Sequence, residues 1–131
     1  MGRELKFRAR NTWIDEKSGT PYYTMDKFDL FDTWTIEDLS NNTEVMQYTG
    51  VHDRTDEETE VFEGDMIEFD YKGTKYIGEV KFEAGMFIIA SIDLTDSYIP
   101  MFDIMESDRG YWWVNGEVIG NKFDDINMMG V

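Results

Sequence analysis

Apolar and polar positions alternate along much of this chain, and a period of two reads as β-strand. In Leu5-Lys6-Phe7-Arg8-Ala9-Arg10 apolar and basic residues alternate strictly, which predicts a strand with one buried and one wet face. Asp15-Glu16-Lys17-Ser18-Gly19 supplies a turn, and Tyr22-Tyr23 resumes a strand after Pro21. Residues 26–42 fit no single period. Within them Thr35-Ile36-Glu37-Asp38-Leu39 predicts a helical turn, capped by Thr35 and closed by Asn41-Asn42. Val45-Met46-Gln47-Tyr48-Thr49 then reads as a strand ended by Gly50.

The clearest pattern follows an acidic loop. Gly64-Asp65 turns the chain into Met66-Ile67-Glu68-Phe69-Asp70-Tyr71, where Ile67, Phe69 and Tyr71 share a face. Lys72-Gly73 makes a hairpin tip, and beyond it Tyr76, Gly78, Val80 and Phe82 alternate with Lys75, Ile77, Glu79 and Lys81. Ala84-Gly85 turns into Met86-Phe87-Ile88-Ile89-Ala90, which is apolar on both faces, as a central strand is. Residues 61–90 are therefore expected to form a three-stranded antiparallel meander of a small barrel, with Ile67, Phe69, Val80 and Phe82 turned inward. The run 93–108, with Pro100 and a mixed stretch from Tyr98 to Met105, weakens into an excursion with a helical turn. Tyr111-Trp112-Trp113-Val114, Asn115-Gly116 and Glu117-Val118-Ile119 predict one more hairpin, because Asn-Gly accepts the positive φ angles of a type I′ turn.

With 131 residues, the chain fits a single domain spanning 1–131: a barrel core over about 44–123 with the strands of 1–43 packed on it. The 15% aromatic content sets it apart from disordered chains. The absence of cysteine excludes a disulfide framework and a thiolate metal site. The first residues lack the apolar run of a signal peptide, and no stretch approaches the ~20 apolar residues of a membrane helix. Gly2 is no myristoylation site, since Lys6 stands where Ser or Thr is required. A cytoplasmic location without membrane association is the expectation.

The order of several short motifs is similar to that of a known family. Phe7-Arg8-Ala9, Met46-Gln47-Tyr48-Thr49-Gly50, Glu63-Gly64-Asp65, Gly78-Glu79-Val80-Lys81-Phe82 with Phe87 beyond, and Val118-Ile119-Gly120-Asn121 resemble the successive landmarks of the YopX family. The resemblance implies a gene carried by phages or prophages, a mainly β fold built around an SH3-like barrel with short helical excursions, and no established activity or catalytic residues. The chain departs from the pattern twice. Arg10 replaces the usual Trp after Phe-Arg-Ala, and the acidic run 55–60 replaces an Asn-Gly turn before Glu-Gly-Asp.

Charge shapes the functional expectation. Twenty-eight acidic residues against twelve basic ones give a net charge of −16, a field that repels phosphates and anionic membranes and attracts basic protein surfaces. Direct nucleic-acid binding is disfavoured for that reason, although Lys6, Arg8 and Arg10 form a basic stripe. That stripe and the acidic segment 53–70 are suited to pair within one fold or between copies, which leaves a homo-oligomer open. His52 is the only histidine, so no multi-histidine metal site exists, and no nucleophile elbow accompanies it. Glu63 with Asp65 is a chance pair among many acids, and Gly73-Thr74-Lys75 is not a phosphate loop. Asp53, Asp56 and Glu58 lack the glycine-centred pattern of a calcium loop.

No catalytic, cofactor or metal residues are assigned. What remains is an interaction surface of Asp53, Asp56, Glu57, Glu58 and Glu60 together with Trp112 or Trp113, which point to opposite faces of one strand. Tyr111, Met128 and Met129 are further interface candidates. The expected function is a non-catalytic phage or prophage accessory protein that binds a host or phage protein with a basic surface. Two alternatives are a DNA-mimicking inhibitor, whose carboxylates occupy a DNA-binding site, and a small-ligand binder or enzyme using the barrel mouth.

Overall fold

A computed structural model of the chain describes residues 6–29 and 42–124. These carry eleven strands and a single 3-10 turn, so the fold is mainly β as its alternating pattern predicts. The predicted helical turn at 35–39 and the two methionines Met128 and Met129 lie outside the described residues. The chain divides into two compact units, Met1–Tyr48 and Thr49–Val131.

In the first unit, β1 (Lys6–Ile14) and β2 (Pro21–Asp29) form a regular antiparallel hairpin of nine paired positions, from Lys6 opposite Asp29 to Ile14 opposite Pro21. The other edge of β1 pairs antiparallel with the start of β3 (Asn42–His52), with a register shift between Arg10 and Asn11. Asn11 and Thr24 both donate to Asp26 Oδ2, at 2.6 and 2.7 Å, while Trp13 Nε1 donates to the Thr24 hydroxyl at 2.8 Å. Arg10 stacks on the Tyr23 ring at 3.7 Å. The basic face of β1 is not fully wet: Arg8 is buried, and Lys6 and Arg10 are half-buried. Long basic side chains cover apolar surface with their stems, so alternation of charge did not mark exposure here. Strand β3 does not end at Gly50; that glycine takes a φ of +93° and the strand continues to His52.

The second unit is built around the expected meander. β5 (Asp65–Tyr71), β6 (Thr74–Glu83) and β7 (Met86–Ala90) pair antiparallel in sequence order. Lys72-Gly73 and Ala84-Gly85 form their tips, each with both residues at positive φ, which matches the twist of the flanking strands. β11 (Gly116–Asn121) adds outside β5, and β8 (Tyr98–Pro100) outside β7, making a five-stranded sheet β11-β5-β6-β7-β8 whose ends do not close into a barrel. Ile67, Phe69, Val80 and Ile89 are wholly or almost wholly buried on one face and pack with Val61, Leu94, Ile99, Met101, Ile104 and Val114. Phe82 departs from the expectation. It stands nearly half exposed beside the Ala84-Gly85 tip of the β6–β7 hairpin, beyond buried Val80, and meets only the Phe87 ring edge-on at 5.0 Å among described aromatic contacts.

The excursion after β7 holds β8, the 3-10 turn Met101–Ile104 and β9 (Met105–Asp108). Here the predicted hairpin is displaced. β10 (Tyr111–Val114) pairs back on β9 through Arg109-Gly110, whose φ values of +53° and +89° make the primed turn. Asn115-Gly116 is instead a corner through which the chain leaves β10 for β11. A Cβ on Gly116 would lie 2.7 Å from Ile67 Cγ2 and 2.8 Å from the Glu68 carbonyl oxygen, so glycine serves close strand approach at this position.

Candidate functional site

The end of β3 brings the acidic loop and the tryptophan strand together in the second unit. Trp113 pairs with His52 in the parallel sense. His52, Asp53, Arg54, Thr55, Asp56, Glu58 and Trp113 line a shallow recess of about 240 Å³. β4 (Glu60–Phe62) also pairs with β3, where the Thr49 hydroxyl donates to the Val61 carbonyl at 2.8 Å.

Asp53 is not part of the surface. Its side chain is fully buried, and its carboxylate organises the loop from within. Oδ1 accepts from the Thr55 amide at 3.0 Å, the Thr55 hydroxyl at 2.6 Å and the Thr59 amide at 3.2 Å. Oδ2 accepts from the Val118 amide on β11 at 3.0 Å. The Asp53 amide donates to the Thr59 carbonyl at 2.8 Å and closes the loop's base, while Arg54 N donates to the Gly116 carbonyl at 3.0 Å. A count of acidic residues cannot separate this carboxylate from its neighbours; the signal lay in Asp53-x-Thr55, an aspartate placed to bond the backbone two residues on.

With its base tied, the loop displays Asp56, Glu57 and Glu58, all exposed, on a turn in which Glu58 adopts a φ of +50° and its amide donates to the Thr55 carbonyl at 2.9 Å. Glu60 is half-buried at the start of β4. Arg54 does not neutralise the tip. Its guanidinium is directed to Asn115 Oδ1 at 3.2 Å, Asp70 at 3.4 Å and Glu117 at 3.6 Å. His52 Nδ1 lies 2.6 Å from the Asp53 carbonyl oxygen, which can only accept, so Nδ1 is the donor of this contact.

The two tryptophans separate as their adjacency demands. Trp113 is half-buried and faces the recess. Trp112 lies on the face of buried Val114, 41% exposed, and leans on Phe102 with ring centroids 5.5 Å apart. The β9–β10 register sets Glu106 opposite Trp113 and Asp108 opposite Tyr111, so these residues share the Trp113 face. Tyr111, a candidate already from its aromatic run, is exposed; Glu106 and Asp108 are exposed and were missed in the sequence, because the hairpin that aligns them turns at Arg109-Gly110 rather than at Asn115-Gly116. The result is an aromatic pair, Tyr111 and Trp113, flanked by the carboxylates of Glu106, Asp108, Asp56 and Glu58.

Other marked residues have local roles. Asp65 is buried and accepts from the Phe62 amide at 2.7 Å, bracing the turn before β5. Among the described residues no three His, Asp or Glu side chains converge as metal ligands do, and no helix is long and apolar enough to cross a membrane.

Comparison with known proteins places the chain. A family model described as "YopX protein" matches residues 6–129. No curated protein matches. Among solved structures, protein EF1440 from Enterococcus faecalis is similar at 22% identity over 89% of this chain and 92% of its own, with a TM-score of 0.42, a level that carries no weight for fold or function.

Proposed function

The chain belongs to the YopX family, and on that premise we propose that it is a non-catalytic accessory protein of a phage or prophage, which binds a basic protein surface through the acidic, aromatic side of its C-terminal unit. One observation carries this reading: the loop carboxylates Asp56 and Glu58 line the same recess as Trp113. An aromatic anchor ringed by charge is the composition of a docking patch, in which the ring supplies affinity and the charges steer approach. The C-terminal unit holds nineteen of the twenty-eight acidic residues against six basic ones, so its field is much more negative than that of the N-terminal unit. A basic surface is drawn to it and a phosphate backbone is not.

The two parts of the patch separate kinetically. Reversing Asp56, Glu57 and Glu58 to lysine should slow association about tenfold at low salt. Stability should stay within about 0.5 kcal/mol, since these side chains are exposed at the loop's tip. Trp113→Ala should instead speed dissociation roughly 30-fold, the ~2 kcal/mol of an anchor residue. Trp112→Ala, on the opposite face, should leave both rates near those of the parent. Surface plasmon resonance with the protein co-purified on the tagged chain reads both effects. Equal dissociation rates for the two tryptophan variants would contradict the assignment, and displacement of the chain by duplex DNA would turn the reading towards DNA mimicry.

A further inference from the structure

We propose that the recess beside Trp113 receives one arginine side chain of the partner, its guanidinium laid on the indole and held at the rim by the carboxylates of Asp56, Glu58 and Glu106. The proposal rests on the docking reading above and names the group that docks. Trp113 carries it. The ring is half-buried on β10, and among the described residues neither a second ring nor a cation is set against it. Trp13 is bonded to Thr24 and Trp112 leans on Phe102, so of the described tryptophans Trp113 alone has an indole that no side chain engages.

The charge around the ring has a definite sign. Asp56 and Glu58 line the recess, and Glu106 stands directly across the β9–β10 ladder from Trp113. None of the three has an ion-pair partner among the described residues, whereas Asp108 has Arg109 at 3.9 Å. Arg54 also lines the recess, but its guanidinium is turned to Asp70 and Glu117, whose two carboxylates offset its charge. At about 240 Å³ the recess is smaller than the ~300–1,000 Å³ of sites that enclose a small molecule, and apart from Trp113 its lining is polar. It therefore suits one cationic side chain. Arginine fits it better than lysine, because a planar, weakly hydrated fork can lie flat on a ring while its N–H groups reach carboxylates at the edge. The chain's own rings show that difference. Arg10 Cζ lies 3.7 Å from the Tyr23 centroid, while the ammonium nitrogens of Lys6, Lys72 and Lys122 stand 5.3, 5.2 and 5.5 Å from theirs.

NMR titration of the intact protein with tetra-arginine and tetra-lysine peptides tests the proposal, in about 0.15 M salt to screen diffuse attraction. The two peptides carry equal charge, so only the shape and hydration of the cation differ. Tetra-arginine should shift the Trp113 indole N–H resonance, identified by its loss in Trp113→Phe, and should bind about tenfold tighter than tetra-lysine. Trp113→Ala should abolish that preference, and Trp112→Ala should keep it. Trp113→Phe retains a ring of weaker attraction, so it should keep a preference of about threefold and serves as the test should the alanine variant not fold. Equal affinities for the two peptides, or an arginine preference that Trp113→Ala or Trp113→Phe leaves unchanged, would overturn the arginine site. If both peptides still bound and both were weakened by reversing Asp56, Glu57 and Glu58, the acidic docking face would stand without that site. A co-purified partner whose dissociation ignores Trp113→Ala would strike the docking reading itself.

Discussion

Replacing Asp53 with alanine should lower the unfolding free energy by about 3–4 kcal/mol, several times the effect of any single change at the loop's tip. The carboxylate is fully buried and accepts from three amides and one hydroxyl. Alanine removes the acceptor and leaves the amides of Thr55, Thr59 and Val118 without it. A hydrogen bond to a charged group contributes ~1.5–3 kcal/mol, and part of that loss is regained where water reaches the loop. Asp53→Asn keeps one oxygen but turns an N–H towards donors, so it should lose roughly half as much. Urea unfolding checks both through a lower midpoint at an unchanged m value. The Asp53 side chain ties the loop to β11 beside the bond from Arg54 N to the Gly116 carbonyl, so Asp53→Ala should also weaken partner binding without touching the partner.

Gly116→Ala is the second large effect, with an expected loss of about 2–4 kcal/mol. The added methyl would sit 2.7 Å from Ile67 Cγ2, 2.8 Å from the Glu68 carbonyl oxygen and 3.0 Å from Phe69 Cβ. The carbonyl and the Cβ belong to β5 itself, so relief requires β11 to back away from its ladder. Gly78→Ala should behave alike, since its methyl would meet Ile89 Cγ2 at 2.6 Å and the Ala90 carbonyl oxygen at 2.8 Å. Both glycines are on the packed side of the sheet: Gly78 is opposite Ile67, and Gly116 opposite Phe69. Thermal unfolding should show each variant melting about 10 °C below the parent, from the ~3–5 °C per kcal/mol expected at this chain length. Parent-like melting would mean that the strands are less closely packed than the distances state.

How much of this was legible in the sequence varies by element, for physical reasons. The meander could be read because its strands alternate cleanly and its tips, Lys72-Gly73 and Ala84-Gly85, need only a local conformation. Ile67, Phe69 and Val80 are inward as their period requires, while Phe82 shares their period but lies where the core has ended. Periodicity gives a face and not a depth. Asn115-Gly116 misled because glycine has two uses: this one makes room for Ile67, and the positive φ angles fell to Arg109-Gly110, where arginine gives no warning. The candidate site was legible in its parts, an acidic loop and an aromatic strand. Their meeting depends on the pairing of Trp113 with His52, a contact between residues far apart in sequence that no local pattern encodes. Asp53 was misplaced for a related reason, since the Val118 amide it serves lies at a sequence separation of 65.

The central claim is that the Trp113 side of the C-terminal unit is where this protein meets another. Amide hydrogen exchange of the chain, alone and saturated with its co-purified partner, tests it most directly. The account predicts new protection confined to residues 54–60 and 105–113, the segments that carry the loop carboxylates and the β9–β10 aromatic face. Protection elsewhere in the chain, with the 54–60 loop exchanging as fast as in the free protein, would contradict it.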